Sequence, residues 1–359
     1  MDVASSSSCR NIASMKRIAT PSNHSLWNIW GLNLSLSVML GCLSIVSSAS
    51  AEEELSLCTN ISNDQERLRC YDRQVERLNQ HESTEDPMSD AHLADNYLDQ
   101  AWEISANKKR PSFSFREYRT NYLFPLRYSS NPNSTPQTPT HPNTTSSPIQ
   151  RNEFRFQLSF KTKLKEHLLG TKAYAWFAYT QQSNWQFYNT SQSSPFRETN
   201  YEPELILSIP STISVLGAKL ALINLGLVHQ SNGNAGVYSR SWNRLYAQAN
   251  FTQGNLLLST RAWWRLPESI HNNDNPDIRR YMGSGDLRAT WFTEGHRLSA
   301  LTRYSFQGKK GAVQINWTFP INGHLKGYAE LFSGYGESLI DYNHFQNIIA
   351  AGLLLSTWH

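Results

Sequence analysis

The chain has 359 residues, a formal net charge of +4 and a mean hydropathy of -0.52. That polarity excludes a bundle of transmembrane helices, and no long Lys/Arg block suits nucleic acid. Charged residues make up only 17% while aromatics make up 12%, with 11 Trp and 16 Tyr, a balance that fits a β-barrel girdled by aromatic side chains better than a soluble domain.

Arg10, Lys16 and Arg17 precede an apolar stretch from Leu32 to Val46, and Ala49-Ser50-Ala51 supplies small residues at the spacing a signal peptidase reads. Residues 1–51 are therefore expected to be a signal peptide, with a membrane anchor or lipidation at Leu40-Gly41-Cys42 as alternatives. Cleavage there removes Cys9 and Cys42 and leaves Cys58 and Cys70, an even pair in an oxidising compartment, so one disulfide is expected. Residues 52–110 read as a short helical periplasmic extension, because Leu68, Tyr71, Val75 and Leu78 recur at helical spacing. From Ser129 to Gln150 the residues are almost all Ser, Thr, Asn, Pro and Gln, a composition that cannot bury an apolar core and predicts an exposed, mobile loop.

Past this point segments of about ten residues alternate apolar and polar side chains between Gly, Asn, Pro or Ser clusters, the pattern of membrane strands. Phe154, Phe156, Leu158 and Phe160 alternate with Arg155, Gln157 and Ser159, and Val313, Ile315, Trp317 and Phe319 with Gln314, Asn316 and Thr318. Counting back from the C-terminus places strands near 346–358, 324–333, 313–320, 297–306, 281–292, 256–266, 239–251, 216–230, 201–210, 171–181, 153–164 and 118–128. Residues 111–359 are thus expected to form a twelve-stranded antiparallel transmembrane β-barrel. A soluble β-sandwich alternates in the same way, but the signal peptide and the last strand, with Ile349, Ala351, Leu353 and Leu355 and ending in Trp358-His359, argue against it. Both termini of such a barrel face the periplasm, so the connection 231–238 falls on the outer side.

Leu225, Leu227, His229 and Ser231 share one parity on a strand whose apolar side faces lipid, and Asn243 shares the apolar parity of the next strand with Leu245 and Ala247. Three polar residues thus interrupt two adjoining oily faces near one rim, which is costly unless they satisfy one another or serve chemistry. Ser231 as nucleophile, His229 as base and Asn243 as the base's orienting partner fill the roles of a hydrolytic triad, and the amide of Gly233 is a candidate oxyanion donor. The bland alternative is a rim hydrogen-bond network.

The run His229-Gln-Ser231-Asn-Gly233, followed by Ser239-Arg-Ser-Trp-Asn243-Arg-Leu-Tyr246, resembles the active-site signature of outer-membrane phospholipase A. The resemblance continues in Tyr179-Thr-Gln181, Trp185-Gln186, Ser193 to Pro203, Asp274-Asn-Pro-Asp277, Tyr281-Met-Gly283 and Ser333 to Asn343, and covers the chain from about Phe113 onward. It implies a twelve-stranded, calcium-dependent barrel, activated by dimerisation, that removes acyl chains from phospholipids and lysophospholipids. It also implies Ca2+ held by the Ser239 hydroxyl, the Asn234 carbonyl and the Ser193 carbonyl of a second copy, with Gln181 at a homodimer interface. Gly236 departs from the family, which can carry an acidic residue there, and this puts in doubt a second calcium position shared with Asp274. The rival readings are a passive porin and a soluble secreted lipase, whose Gly-x-Ser-x-Gly elbow is absent around Ser231.

Overall fold

Twelve antiparallel strands close on themselves: β1 (Phe115–Glu117 and Tyr122–Ser129), β2 (Asn152–Lys165), β3 (Tyr174–Trp185), β4 (Phe196–Val215), β5 (Ala218–Ser231), β6 (Ser241–Gln253), β7 (Leu256–Arg265), β8 (Gly285–Thr293), β9 (His296–Ser305), β10 (Lys310–Asn322), β11 (Leu325–Tyr335) and β12 (Phe345–Leu354). Each strand pairs with its neighbours in the chain, and β12 pairs with β1 to complete the barrel. The computed structural model describes residues 58, 61–83, 92–105, 108–269 and 273–355. The expected signal peptide, and the last three residues of the expected final strand, lie outside the described residues.

All twelve expected strands are present, the boundaries differing by a few residues. The first strand is broken between its two segments, and there the side chain of Asn121 stands in for the ladder: Ser159 N–H donates to its Oδ1 at 2.5 Å while its Nδ2 donates to the Ser159 carbonyl at 3.2 Å. Backbone groups next to hydrocarbon need such a partner.

Polarity runs opposite to that of a soluble domain. Arg116, Arg127, Arg155, Lys163 and Glu204 are buried in the interior, whereas Leu126, Leu158, Leu205, Trp264, Leu298 and Leu331 lie exposed on the outside. Inside, ion pairs cross between strands, as where Arg119 meets Glu202 at 2.6 Å and Glu204 at 2.7 Å. Outside, aromatics gather near both rims, with Trp185 stacked on Phe196 at 5.0 Å near one and Trp317 against Phe319 at 4.5 Å near the other. An oily belt bounded by aromatic girdles around a polar interior is the surface of a membrane-spanning barrel. No helix among the described residues is long and apolar enough to cross a membrane.

The two ends differ. Tight turns close one end, including Leu216-Gly217 with φ of 51° and 82°, both left-handed as a two-residue hairpin demands. The other end carries the long connections, among them 130–151, 186–195, 232–240, 266–284 and 336–344.

In the N-terminal unit, which ends near residue 82, a disulfide joins Cys58 to Cys70 and helix α1 spans Asp64–Ser83. A second helix, α2 (Leu93–Trp102), belongs to the compact unit that contains the barrel. Ala94, Leu98 and Trp102 pack against the inward-facing Tyr174, Trp176, Ile206, Leu222 and Leu257 in one apolar cluster, so α2 fills the turn-side end of the lumen. Residues 92–105 therefore pack inside the barrel rather than forming part of a separate extension. Glu103, in the left-handed conformation after the helix, locks it in place through Arg110 at 3.0 Å, Lys163 at 2.6 Å and Arg116.

Burial pushes the Glu103 carboxyl up, but hydrogen bonds from Arg116 and Lys163 outweigh it and hold the group at about 2. A lowered value means that the anion's contribution is complete above the unfolded-state value near 4.5 and disappears as pH falls through about 2. Trp102 and Trp176 lie 5.9 Å apart, nearly perpendicular, and should give a near-UV circular dichroism signal. The thermal midpoint of that signal should be lower in Glu103→Gln than in the wild type at neutral pH, and the gap should close between about pH 4.5 and pH 2. A gap that is constant across this range would show that the buried charge does not hold the helix.

The Ser/Thr/Pro-rich connection 130–151 is not exposed throughout, although its composition leads one to expect it. Asn133, Thr138 and Asn143 are buried, and side chains satisfy its backbone: Asn189 Nδ2 donates to the Pro148 carbonyl at 2.8 Å and Asn343 Nδ2 to that of Gln137 at 2.8 Å. A segment poor in apolar residues takes a defined path here with side-chain hydrogen bonds to its backbone.

Candidate active site

β5 and β6 form the site. Their register sets His229 directly opposite Asn243 and Ser231 opposite Ser241. Since alternate residues share a face, His229 and Ser231 project outward with the exposed Leu225 and Leu227, and Asn243 with the exposed Leu245. His229 Nδ1 and Asn243 Oδ1 are 2.8 Å apart. Because Oδ1 only accepts, Nδ1 carries the proton, which in the neutral imidazole leaves the lone pair on Nε2. Ser231 is half-buried, and its hydroxyl forms no hydrogen bond with another described residue.

Past Ser231 the chain turns at Gly233, whose φ is +65°. A Cβ there would lie 3.0 Å from the Tyr201 ring, so glycine meets both a left-handed backbone and a close approach. Its amide donates no hydrogen bond among the described residues and is free for an incoming oxygen.

The connection is pinned by Asn232, which sequence reasoning passed over. This buried side chain accepts from the amides of Arg240 at 3.0 Å and Asn234 at 3.3 Å, and donates to the Tyr238 carbonyl at 2.8 Å and to Glu198 at 3.2 Å. An Asn at a strand end, before Gly, is the available signal, since such residues organise turns through their own backbone.

Ser239 donates its hydroxyl to Asp274 Oδ2 at 2.7 Å, and the Ser241 hydroxyl reaches the same oxygen at 3.4 Å. Asp274 is also approached by the connection 130–151: Thr140 Oγ1 donates to its carbonyl at 3.0 Å, and His141 Nε2 lies 3.9 Å from its carboxylate. The Ser239 hydroxyl and this carboxylate are oxygen donors of the type that suits a hard cation such as calcium. The described residues hold no cluster of three or more His, Cys, Asp or Glu side chains that could hold a metal ion. Gly236 is exposed at the loop tip and places no carboxylate opposite Asp274.

Ser193 is exposed on the separate connection 186–195, with φ +59°, and no hydrogen bond joins it to 232–240 among the described residues. Gln181, on the outward side of β3, lies between Leu158 and Tyr201 on the neighbouring strands and is hydrogen-bonded to Tyr179 at 3.2 Å and Ser183 at 3.4 Å. It is a polar spot on an oily face.

Residues 98–355 match the family model described as phospholipase A1. The chain is similar to a phospholipase A1 homologue of Neisseria meningitidis serogroup B, at 42% identity over 262 residues covering 71% of this chain and 69% of that one. Among solved structures it resembles outer membrane phospholipase A from Escherichia coli, with 35% identity, a TM-score of 0.62, and coverage of 69% of this chain and 100% of that one. It also resembles the outer membrane phospholipase of Salmonella typhi, solved as a dimer with bound calcium, with 34% identity, a TM-score of 0.64, and coverage of 72% and 97%.

Proposed function

The chain belongs to the phospholipase A1 family, and from that premise we propose that it is a calcium-dependent hydrolase of phospholipid and lysophospholipid acyl esters, working through Ser231, His229 and Asn243 and activated by dimerisation. That it is a carboxylic ester hydrolase of the outer membrane follows from the family and the barrel. One observation carries the finer reading: a His–Asn hydrogen bond of 2.8 Å on the lipid-facing surface, with a serine two residues along the same face. Hydrocarbon exposes polar groups at a cost that a purely structural surface avoids.

In the reaction Ser231 Oγ attacks the ester carbonyl carbon while His229 Nε2 takes its proton. Asn243 keeps the imidazole in the required tautomer. The Gly233 amide faces the developing oxyanion, and on collapse His229 returns the proton to the leaving alcohol, leaving acyl-Ser231. Water activated by His229 then releases the fatty acid. Ser239, Asn234 and the Ser193 carbonyl of a second copy would hold the calcium, which when bound polarises the ester carbonyl and links the two copies. A second barrel would supply the Ser193 carbonyl, as no hydrogen bond joins Ser193 to 232–240 within one chain among the described residues.

A sulfonyl fluoride should label Ser231 when calcium is present and much less when it is chelated, with fatty acid released from phosphatidylethanolamine micelles under the first condition only. Label on another residue, or equal labelling with chelator, would overturn the assignment.

A further inference from the structure

Asn243 as an orienting group has a weakness, because a carboxamide can present its oxygen or its NH2 to the imidazole. Something must choose between them. In this chain Asn243 Nδ2 donates to Glu268 Oε1 at 3.2 Å, and the other Glu268 oxygen accepts from Arg265 Nη2 at 2.6 Å. The side chains of Arg265 and Glu268 are 8% and 12% exposed, so the pair is largely out of water. The same guanidinium donates to Asn273 Oδ1 at 2.6 Å and to the Asn275 carbonyl at 2.9 Å, the residues on either side of Asp274. Leu266 N–H donates to the Asn243 carbonyl at 2.8 Å, tying the start of this connection to β6.

We infer that Glu268, fixed by Arg265, is a positioning residue of the active site that sets the orientation of Asn243; the inference rests on the triad reading above. The logic is one of donor and acceptor types. Arg265 can only donate, so it takes the carboxylate as its acceptor. The carboxylate can only accept, so Asn243 must turn its NH2 toward it. The amide oxygen then faces His229, Nδ1 must carry the proton, and Nε2 is left as the base for Ser231. The direction of the whole chain is set from its guanidinium end, and a carboxylate's charge sits one amide removed from the imidazolium formed during reaction. By holding the residues around Asp274 as well, Arg265 ties this chain to the candidate calcium loop.

The test uses the full-length barrel in detergent micelles at saturating calcium, with a monomeric short-chain p-nitrophenyl ester. Glu268→Gln keeps volume and one acceptor but brings an NH2 of its own, so Asn243 is no longer forced to one orientation. Its kcat should fall about tenfold with KM unchanged, the lower end of the loss seen when outer partners of functional imidazoles are removed. Asn243→Asp supplies the decisive background. There a second carboxylate faces Glu268 and activity should drop sharply, but adding Glu268→Gln replaces one of the two facing acceptors with an NH2 donor and should raise kcat about tenfold above Asn243→Asp alone, mirroring the loss in the wild-type background. This reversal of sign is not expected of a residue that merely stabilises the loop. Wild-type kcat in Glu268→Gln, or the same fractional loss in both backgrounds, overturns the inference. If Glu268→Gln alone fails to give the folded, heat-modifiable barrel, the comparison of Asn243→Asp with Asn243→Asp/Glu268→Gln decides it. Ser231→Ala in the same assay separates the two levels: an active Ser231→Ala refutes the triad, whereas an inactive one beside an unaffected Glu268→Gln refutes only the positioning role.

Discussion

Ser231→Ala is expected to lower fatty-acid release from phosphatidylethanolamine micelles by at least about 10^4-fold while leaving the barrel intact. The magnitude follows from the role: with no nucleophile there is no acyl intermediate, and what remains is the contribution of the oxyanion site and of substrate binding. Intact folding follows from geometry. The Ser231 hydroxyl has no hydrogen-bond partner among the described residues, so its removal leaves no buried group unsatisfied. Unboiled and boiled samples should show the same mobility shift on a gel as the wild type. His229→Ala should be similarly inactive, and the double variant no worse than either single one, because residues acting as a unit lose their effect together. Ser231→Ala with more than about a tenth of wild-type activity would remove it as the nucleophile.

Where the side-chain period is two and one face is oily, the sequence carried the fold. Phe154, Phe156 and Leu158 announce β2 because a one-residue slip would turn every one of them into the polar interior. The same logic reached the site, since His229, Ser231 and Asn243 stood out as polar exceptions in an apolar parity, and the register then set His229 opposite Asn243. The logic fails where backbone periodicity ends. Arg265 closes a strand and Glu268 sits in coil, so nothing periodic marks either; their meaning is in the hydrogen bonds to Asn243 and to the residues around Asp274. Asn121 is invisible for a related reason, as its side chain replaces backbone bonds that alternation takes for granted. For α2 the signal existed. Ala94, Leu98 and Trp102 recur every four residues, an apolar stripe one side chain wide. It is masked by the polar and charged residues around it, Asp95, Asn96 and Asp99 among them.

Calcium removal is expected to lower activity by about 10^2- to 10^3-fold, the effect of losing a major oxyanion stabiliser. Ser239→Ala should act differently. It removes one oxygen donor of the candidate set and leaves Asn234, the Ser193 carbonyl of a second copy and the triad in place, so the calcium needed for half-maximal activity should rise while activity at saturating calcium is largely kept. The Asp274 carboxylate, which accepts from Ser239 at 2.7 Å, would also lose a hydrogen-bond donor. With part of the proposed ligand set drawn from a second barrel, calcium binding and pairing would have to promote each other equally. Raising the protein-to-detergent ratio should therefore lower the half-maximal calcium concentration of the wild type, and calcium should shift monomer to dimer in sedimentation. An activation curve independent of protein concentration would place all the calcium ligands in one chain and break the link to Ser193. Full activity in chelator would remove calcium from the mechanism and leave the oxyanion to the Gly233 amide.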